Sequence, residues 1–206
     1  MLQSKSTTPP VAEIEPTAIG TSAAENLRYI RSTIEAAHTF TTVPGNGCIA
    51  MGCIALLAAA LEMSPALAAH WLPIWLIAAV VSSAIALYFM DEKSRREGRS
   101  LRGAVAQRFF LTLAPAFVAG ATLTVALNGV VGREIIAGVW LITYGVGISA
   151  CGVFSIPVVL IAGYAFMGLG AATLAAPAAW APVNMGLGFG GIHLVLGAII
   201  VRKHGG

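Results

Sequence analysis

The chain has 206 residues, of which 57% are hydrophobic and 10% charged. Soluble domains use roughly 25% charged residues, so this composition excludes a water-solvated globular domain and makes lipid the solvent. The net charge of +3 comes from basic residues placed beside apolar stretches, where orientation in a membrane explains them, and nucleic acid is not among the expected partners.

Residues 1–21 are rich in Ser, Thr, Pro and Glu and lack an apolar core of the kind a cleaved signal carries, so a flexible cytoplasmic tail is expected. Residues 22–40 change character. Ser22 and Glu25 fit a capping box, and Leu27, Ile30, Ile34 and Ala37 recur at helical spacing opposite Arg28, Arg31 and Glu35. The pattern predicts an amphipathic juxtamembrane helix on the cytoplasmic surface or against a partner helix, and residues 43–47 then turn the chain into the bilayer.

Residues 46–201 read as an all-α bundle of six transmembrane helices, followed by a cytoplasmic tail at 202–206. The first span runs from Asn46 to Leu61 and stops at Ser64 and Pro65, and the second from Trp71 to Met90. A basic loop carrying Lys93, Arg95, Arg96, Arg99, Arg102 and Arg108 separates it from span three, Phe109 to Leu127. Span four covers Glu134 to Phe154, span five Pro157 to Ala176, and span six Asn184 to Val201. Eleven of the 12 Lys and Arg fall on one side of this alternation, with Arg133 alone on the other, which puts both termini in the cytoplasm. Trp71 and Trp180 at outer boundaries, and Tyr88, Phe89, Phe109 and Phe110 at inner ones, fit aromatic belts at headgroup depth. Short outer connections leave any site in the bundle or on its cytoplasmic side.

His193 is the sharpest candidate for chemistry, since it lies near the bilayer midplane in span six. At 100° per residue it shares one narrow face with Gly186, Gly190 and Gly197, a small-residue face suited to packing against another helix or a second copy. Thr143 and Tyr144 lie at similar depth in span four and complete a candidate midplane polar site, either as structural hydrogen-bond partners or as groups handling a proton or ligand. Twelve positions of spans four to six are glycine, which suits tight packing or broken helices. Ser82, Ser83, Thr122 and Thr124 are expected to bond back to their own helices. Cys48, Cys53 and Cys151 read as small buried hydrophobes, and no ligand set implies a metal or other cofactor. Glu35 and His38 have a di-iron spacing once, without the companion carboxylates, and read as solvated charge.

Six spans, Gly147-Ile148-Ser149-Ala150 and His193 together resemble rhomboid intramembrane serine proteases. That resemblance implies a serine and a histidine at one depth, whereas Ser149 sits roughly 9 Å deeper than His193 along the helix axes, and an enzyme is not expected. Glu25 to Arg31, Phe40 to Gly45, Phe189 to His193 and the Arg202 to Gly206 tail resemble a group of small six-span bacterial membrane proteins. The resemblance implies a bacterial inner membrane and assigns no catalytic residue. The expected function is a binding, regulatory or accessory membrane component, with Arg28, Arg31, Arg95, Arg96 and Arg99 as the surface for a cytoplasmic protein partner. Association with a second copy is the other possibility for partners besides lipid. The alternative function is a small transporter or channel built around His193.

Overall fold

A computed structural model describes residues 25–27, 29–30, 40–98 and 103–204. The chain divides into two units, Met1–His38 and Thr39–Gly206. In the first, residues 25–27 and 29–30 are helical and exposed, Leu27 and Ile30 included. The rest of the predicted amphipathic helix, with Arg28, Arg31, Glu35 and His38, lies outside the described residues, as do Arg99 and Arg102.

The second unit is an all-α polytopic membrane bundle: six stretches among the described residues are long and apolar enough to cross a bilayer. They are α1 (Gly45–Met63), α2 (Trp71–Arg96), α3 (Ala104–Leu127), α4 (Arg133–Gly152), α5 (Pro157–Leu174) and a composite sixth span. That span joins α6 (Ala181–Met185), a π-helical stretch (Gly186–Ile192) and α7 (His193–His204). Helix α2 outruns its apolar part because Arg95 pairs with Asp91 at 2.8 Å and Arg96 with Glu92, both across one turn. It stops where Gly98 takes φ +65° and its N–H reaches the Arg95 carbonyl at 3.1 Å.

Two antiparallel glycine seams hold the bundle. In α4, Gly138, Gly145 and Gly152 recur every seven residues and face Gly170, Gly163 and Leu160 of α5 in reverse order. A methyl added at Gly145 would lie 2.7 Å from the Gly163 carbonyl oxygen, and one at Gly170 3.0 Å from that of Gly138. The second seam joins α1 to the sixth span. Gly45 faces Gly197 and Val201, Gly52 faces Gly190 and Leu194, and Ala59 sits against Gly186. The approach is reciprocal, since a methyl at Gly45 would be 3.0 Å from the Gly197 oxygen and one at Gly197 2.7 Å from the Gly45 oxygen. A seven-residue repeat keeps such a stripe facing its partner over several turns. Cα–H···O contacts and dispersion then replace the hydrophobic drive that lipid abolishes.

Helices α2 and α3 lean on this frame from outside, α2 against α1 and α3 against α4. Gly120 of α3 receives the Trp140 ring, and a methyl there would be 2.9 Å from it. Leu76, Ile77, Val80, Leu111, Val118 and Val125 are exposed along the two outer helices, as side chains in contact with lipid are.

At the end of the bundle where α1 begins, residues 40–44 form a buried strap. The Phe40 N–H donates to the Phe154 carbonyl at 2.8 Å, and Ser155 Oγ donates to the Phe40 carbonyl at 2.7 Å. The Phe40 ring, 2% exposed, stacks on Phe109 at 4.4 Å. Arg108 lies over the Phe154 ring at 4.8 Å.

The seams set a contrast within one helix. Gly163 and Gly170 are buried on the α4 side of α5, whereas a methyl at Gly168 would meet nothing within 4 Å. Gly145→Ala is therefore expected to cost about 1–3 kcal/mol by overpacking. Gly168→Ala should be neutral or stabilising by up to about 1 kcal/mol. Reversible unfolding in mixed detergent micelles measures both.

Candidate functional site

The polar centre of the bundle is a hydrogen-bonded pair. His193, 4% exposed, begins α7 and points between α4 and α5. Its Nδ1 is 2.9 Å from the Phe189 carbonyl oxygen, and its Nε2 is 2.9 Å from the Tyr144 hydroxyl. A carbonyl only accepts, so Nδ1 carries the proton and a neutral ring leaves Nε2 to accept from the Tyr144 O–H. Both nitrogens are thereby satisfied without placing a charge in the apolar interior. Three rings enclose the pair. Phe166 meets Tyr144 edge-on at 4.9 Å and His193 at 5.3 Å, Phe189 stacks on His193 at 6.3 Å, and Phe117 touches Tyr144 at 5.9 Å.

The π-helical stretch turns His193 away from Gly186 and Gly190. With an i→i+5 pattern each residue advances by less than 100°, so the phase drifts away from the α-helical wheel across Gly186–Ile192. Gly186 and Gly190 consequently pack against α1, as Gly197 does from α7, while His193 meets Tyr144 and Phe166 on α4 and α5. Thr143 does not reach the pair, because its Oγ1 bonds back to the Val139 and Trp140 carbonyls at 2.9 and 3.3 Å. Ser149 does likewise, donating to Val146 at 3.0 Å, so no serine–histidine couple forms. Tyr144 and His193 can share or pass a proton along one hydrogen bond.

A second buried polar group stands at the end of α1 opposite the strap. Glu62, 3% exposed, accepts from Trp75 Nε1 at 2.7 Å and lies 3.5 Å from Arg133 Nη1. This ties α1 to both α2 and α4. Glu62 falls one residue beyond the span expected from the sequence, Asn46 to Leu61. The usable signal was charge complementarity between the lone acidic residue of that apolar stretch and the lone basic residue on the same side. On the third interhelical contact, Trp140 Nε1 donates at 2.8 Å to Thr124 Oγ1, which itself donates to the Gly120 carbonyl.

At the strap end, Lys93 is 6% exposed and donates to the Val43 carbonyl at 3.2 Å, whereas Arg95 and Arg96 project with side chains 78% and 65% exposed. Cys48 and Cys151 are buried, but Cys53 is exposed on the surface of the bundle, so the expectation of three buried thiols is corrected there: position 53 faces outward from α1. Among the described residues no three His, Cys, Asp or Glu side chains converge as metal ligands.

These features define a six-span integral membrane protein with sealed polar pairs and an exposed basic end. No family model, curated protein or solved structure matches the chain, so its own residues carry the functional argument.

His193→Leu orphans the Tyr144 hydroxyl in an apolar box and is expected to cost about 1–3 kcal/mol. Adding Tyr144→Phe removes the orphan, and the double variant should recover part of that loss. A double-mutant cycle of detergent unfolding free energies measures the coupling, expected at about 0.5–2 kcal/mol.

Proposed function

We propose that this protein is a binding or accessory component of a bacterial inner membrane, with both termini in the cytoplasm, which engages an acidic cytoplasmic protein through its basic end. The observation that carries this reading is the helical extension of α2 beyond its apolar part, which holds Arg95 and Arg96 out from the bundle. Arg108, Arg202 and Lys203 are exposed at the same end, because α7 runs antiparallel to α1. Charges fixed on a rigid helix end suit recognition by complementary potential, which sets partner choice and association rate. Lys and Arg flanking apolar spans also favour retention on the cytoplasmic side, which supports the orientation.

Cross-linking in native membranes, followed by affinity purification and mass spectrometry, tests the reading. A reproducible partner joined near Asp91–Arg96 is expected, and Arg95→Glu with Arg202→Glu should lower its recovery several-fold while the protein still inserts. Recovery unchanged by both substitutions removes this surface from the reaction. Recovery of the protein alone replaces the heterologous partner with a second copy.

A second reading, a small transporter or channel, is favoured by the π-helical stretch beside the His193–Tyr144 pair, since irregular helix next to a polar group is how membrane proteins build midplane sites. On this reading Tyr144→Phe should abolish proton flux driven by a pH gradient in proteoliposomes while leaving insertion intact. Flux equal to that of the unaltered protein discards the pair as a pathway.

A further inference from the structure

At the strap end, α2 and the start of α1 enclose a cleft of about 150 Å³ lined by Pro44, Asn46, Phe89, Glu92, Lys93 and Arg96. Two cations, one carboxylate and one amide line this space, and the Glu97 carboxylate one turn further along α2 acts on Lys93 from outside it. Lys93 is fixed there, its stem buried and its ammonium held on the Val43 carbonyl. Arg96 overhangs the mouth, kept in place by Glu92 one turn earlier. The remaining walls are apolar: a methyl at Gly47 would lie 2.8 Å from the Pro44 ring and 3.1 Å from Phe89, which shows how closely the two sides approach.

Depth narrows the ligand class. The apolar part of α2 ends at Met90 and its charges begin at Asp91, so the cleft stands at the level of lipid headgroups. On the same face of α2, one turn nearer the bundle centre, Ile85 is half-buried beneath Phe89. The volume suits a group of a few heavy atoms and is too small for a peptide. We propose that this cleft binds the phosphate of an anionic lipid headgroup, with Lys93 and Arg96 as its cations, Asn46 as a further donor, and the acyl chains leaving past Phe89. Juxtamembrane basic residues attract anionic lipid in general; the distinguishing feature here is that only one of two adjacent exposed arginines lines the cleft.

That difference supplies the test. The full chain, purified in detergent, is titrated with dioleoyl phosphatidylglycerol or dioleoyl phosphatidylcholine, and bound lipids are counted by native mass spectrometry. Arg96→Gln is expected to reduce occupancy by the first phosphatidylglycerol about fivefold, whereas Arg95→Gln, which removes the same charge outside the cleft, should leave it unchanged. Lys93→Met should reduce it at least as far, with its melting temperature followed in parallel. If that variant fails to fold, the exposed Arg96 and Arg95 pair decides alone. Equal losses for Arg95→Gln and Arg96→Gln overturn the proposal in favour of diffuse surface charge. Equal retention of the two lipids overturns it as well. Displacement of phosphatidylglycerol by millimolar inorganic phosphate, with the same gain in melting temperature, makes the site one for free phosphate and removes the lipid assignment.

Discussion

Close approach of helix backbones at glycine is the constraint on which the rest of this bundle depends. Lipid tails are as apolar as leucine, so burying leucine against leucine gains little in a membrane, and attraction must come from contact density. Where Gly145 meets Gly163 and Gly52 meets Gly190, no side chain intervenes and the two backbones touch. The α4–α5 seam and the α1–sixth span seam then act as two ribs. Helices α2 and α3, which lack such glycine stripes, lie outside and expose most of their apolar length.

Glycine seams favour close approach but discriminate poorly between partners, and the polar pairs add that discrimination. Glu62 is matched by Trp75 and Arg133, His193 by Tyr144, and Thr124 by Trp140. Each contact crosses between different helices, so a wrong neighbour would leave a polar group unpaired in a medium that cannot solvate it. In this view the buried polar residues specify which helix lies beside which, and the glycines set how near.

The number and order of the spans were legible because roughly 20 consecutive apolar residues have few other uses. Their limits were less so. Charges at Asp91–Arg96 read as a loop, yet their i,i+4 pairs extend α2, and the sixth span starts earlier than its apolar run through the turn at Ala178–Trp180. The sevenfold spacing of Gly138, Gly145 and Gly152 stood in the sequence, but it acquires meaning only beside Gly163 and Gly170, a pairing that composition does not reveal. The histidine was found by its depth and Tyr144 by its matching level. Thr143, one position away, was indistinguishable on that criterion, since depth says nothing about direction around the helix. The wheel that joined His193 to the glycine face failed for a local reason, the i→i+5 stretch that a four-glycine heptapeptide tolerates.

The strap and the seam between α1 and the sixth span together impose an order on biosynthesis. Phe40 is made early, yet its cover consists of Phe109, Phe154 and Ser155, and the glycine stripe of α1 is covered only by the sixth span. Helix α1 must therefore wait in the bilayer, internally hydrogen-bonded but unpartnered on its glycine face, while four further spans are inserted. Contacts between the beginning and end of a chain close late. The sixth span thus serves as the keystone of membrane assembly, and a nascent chain arrested before it would present the translocation and quality-control machinery with an open rib.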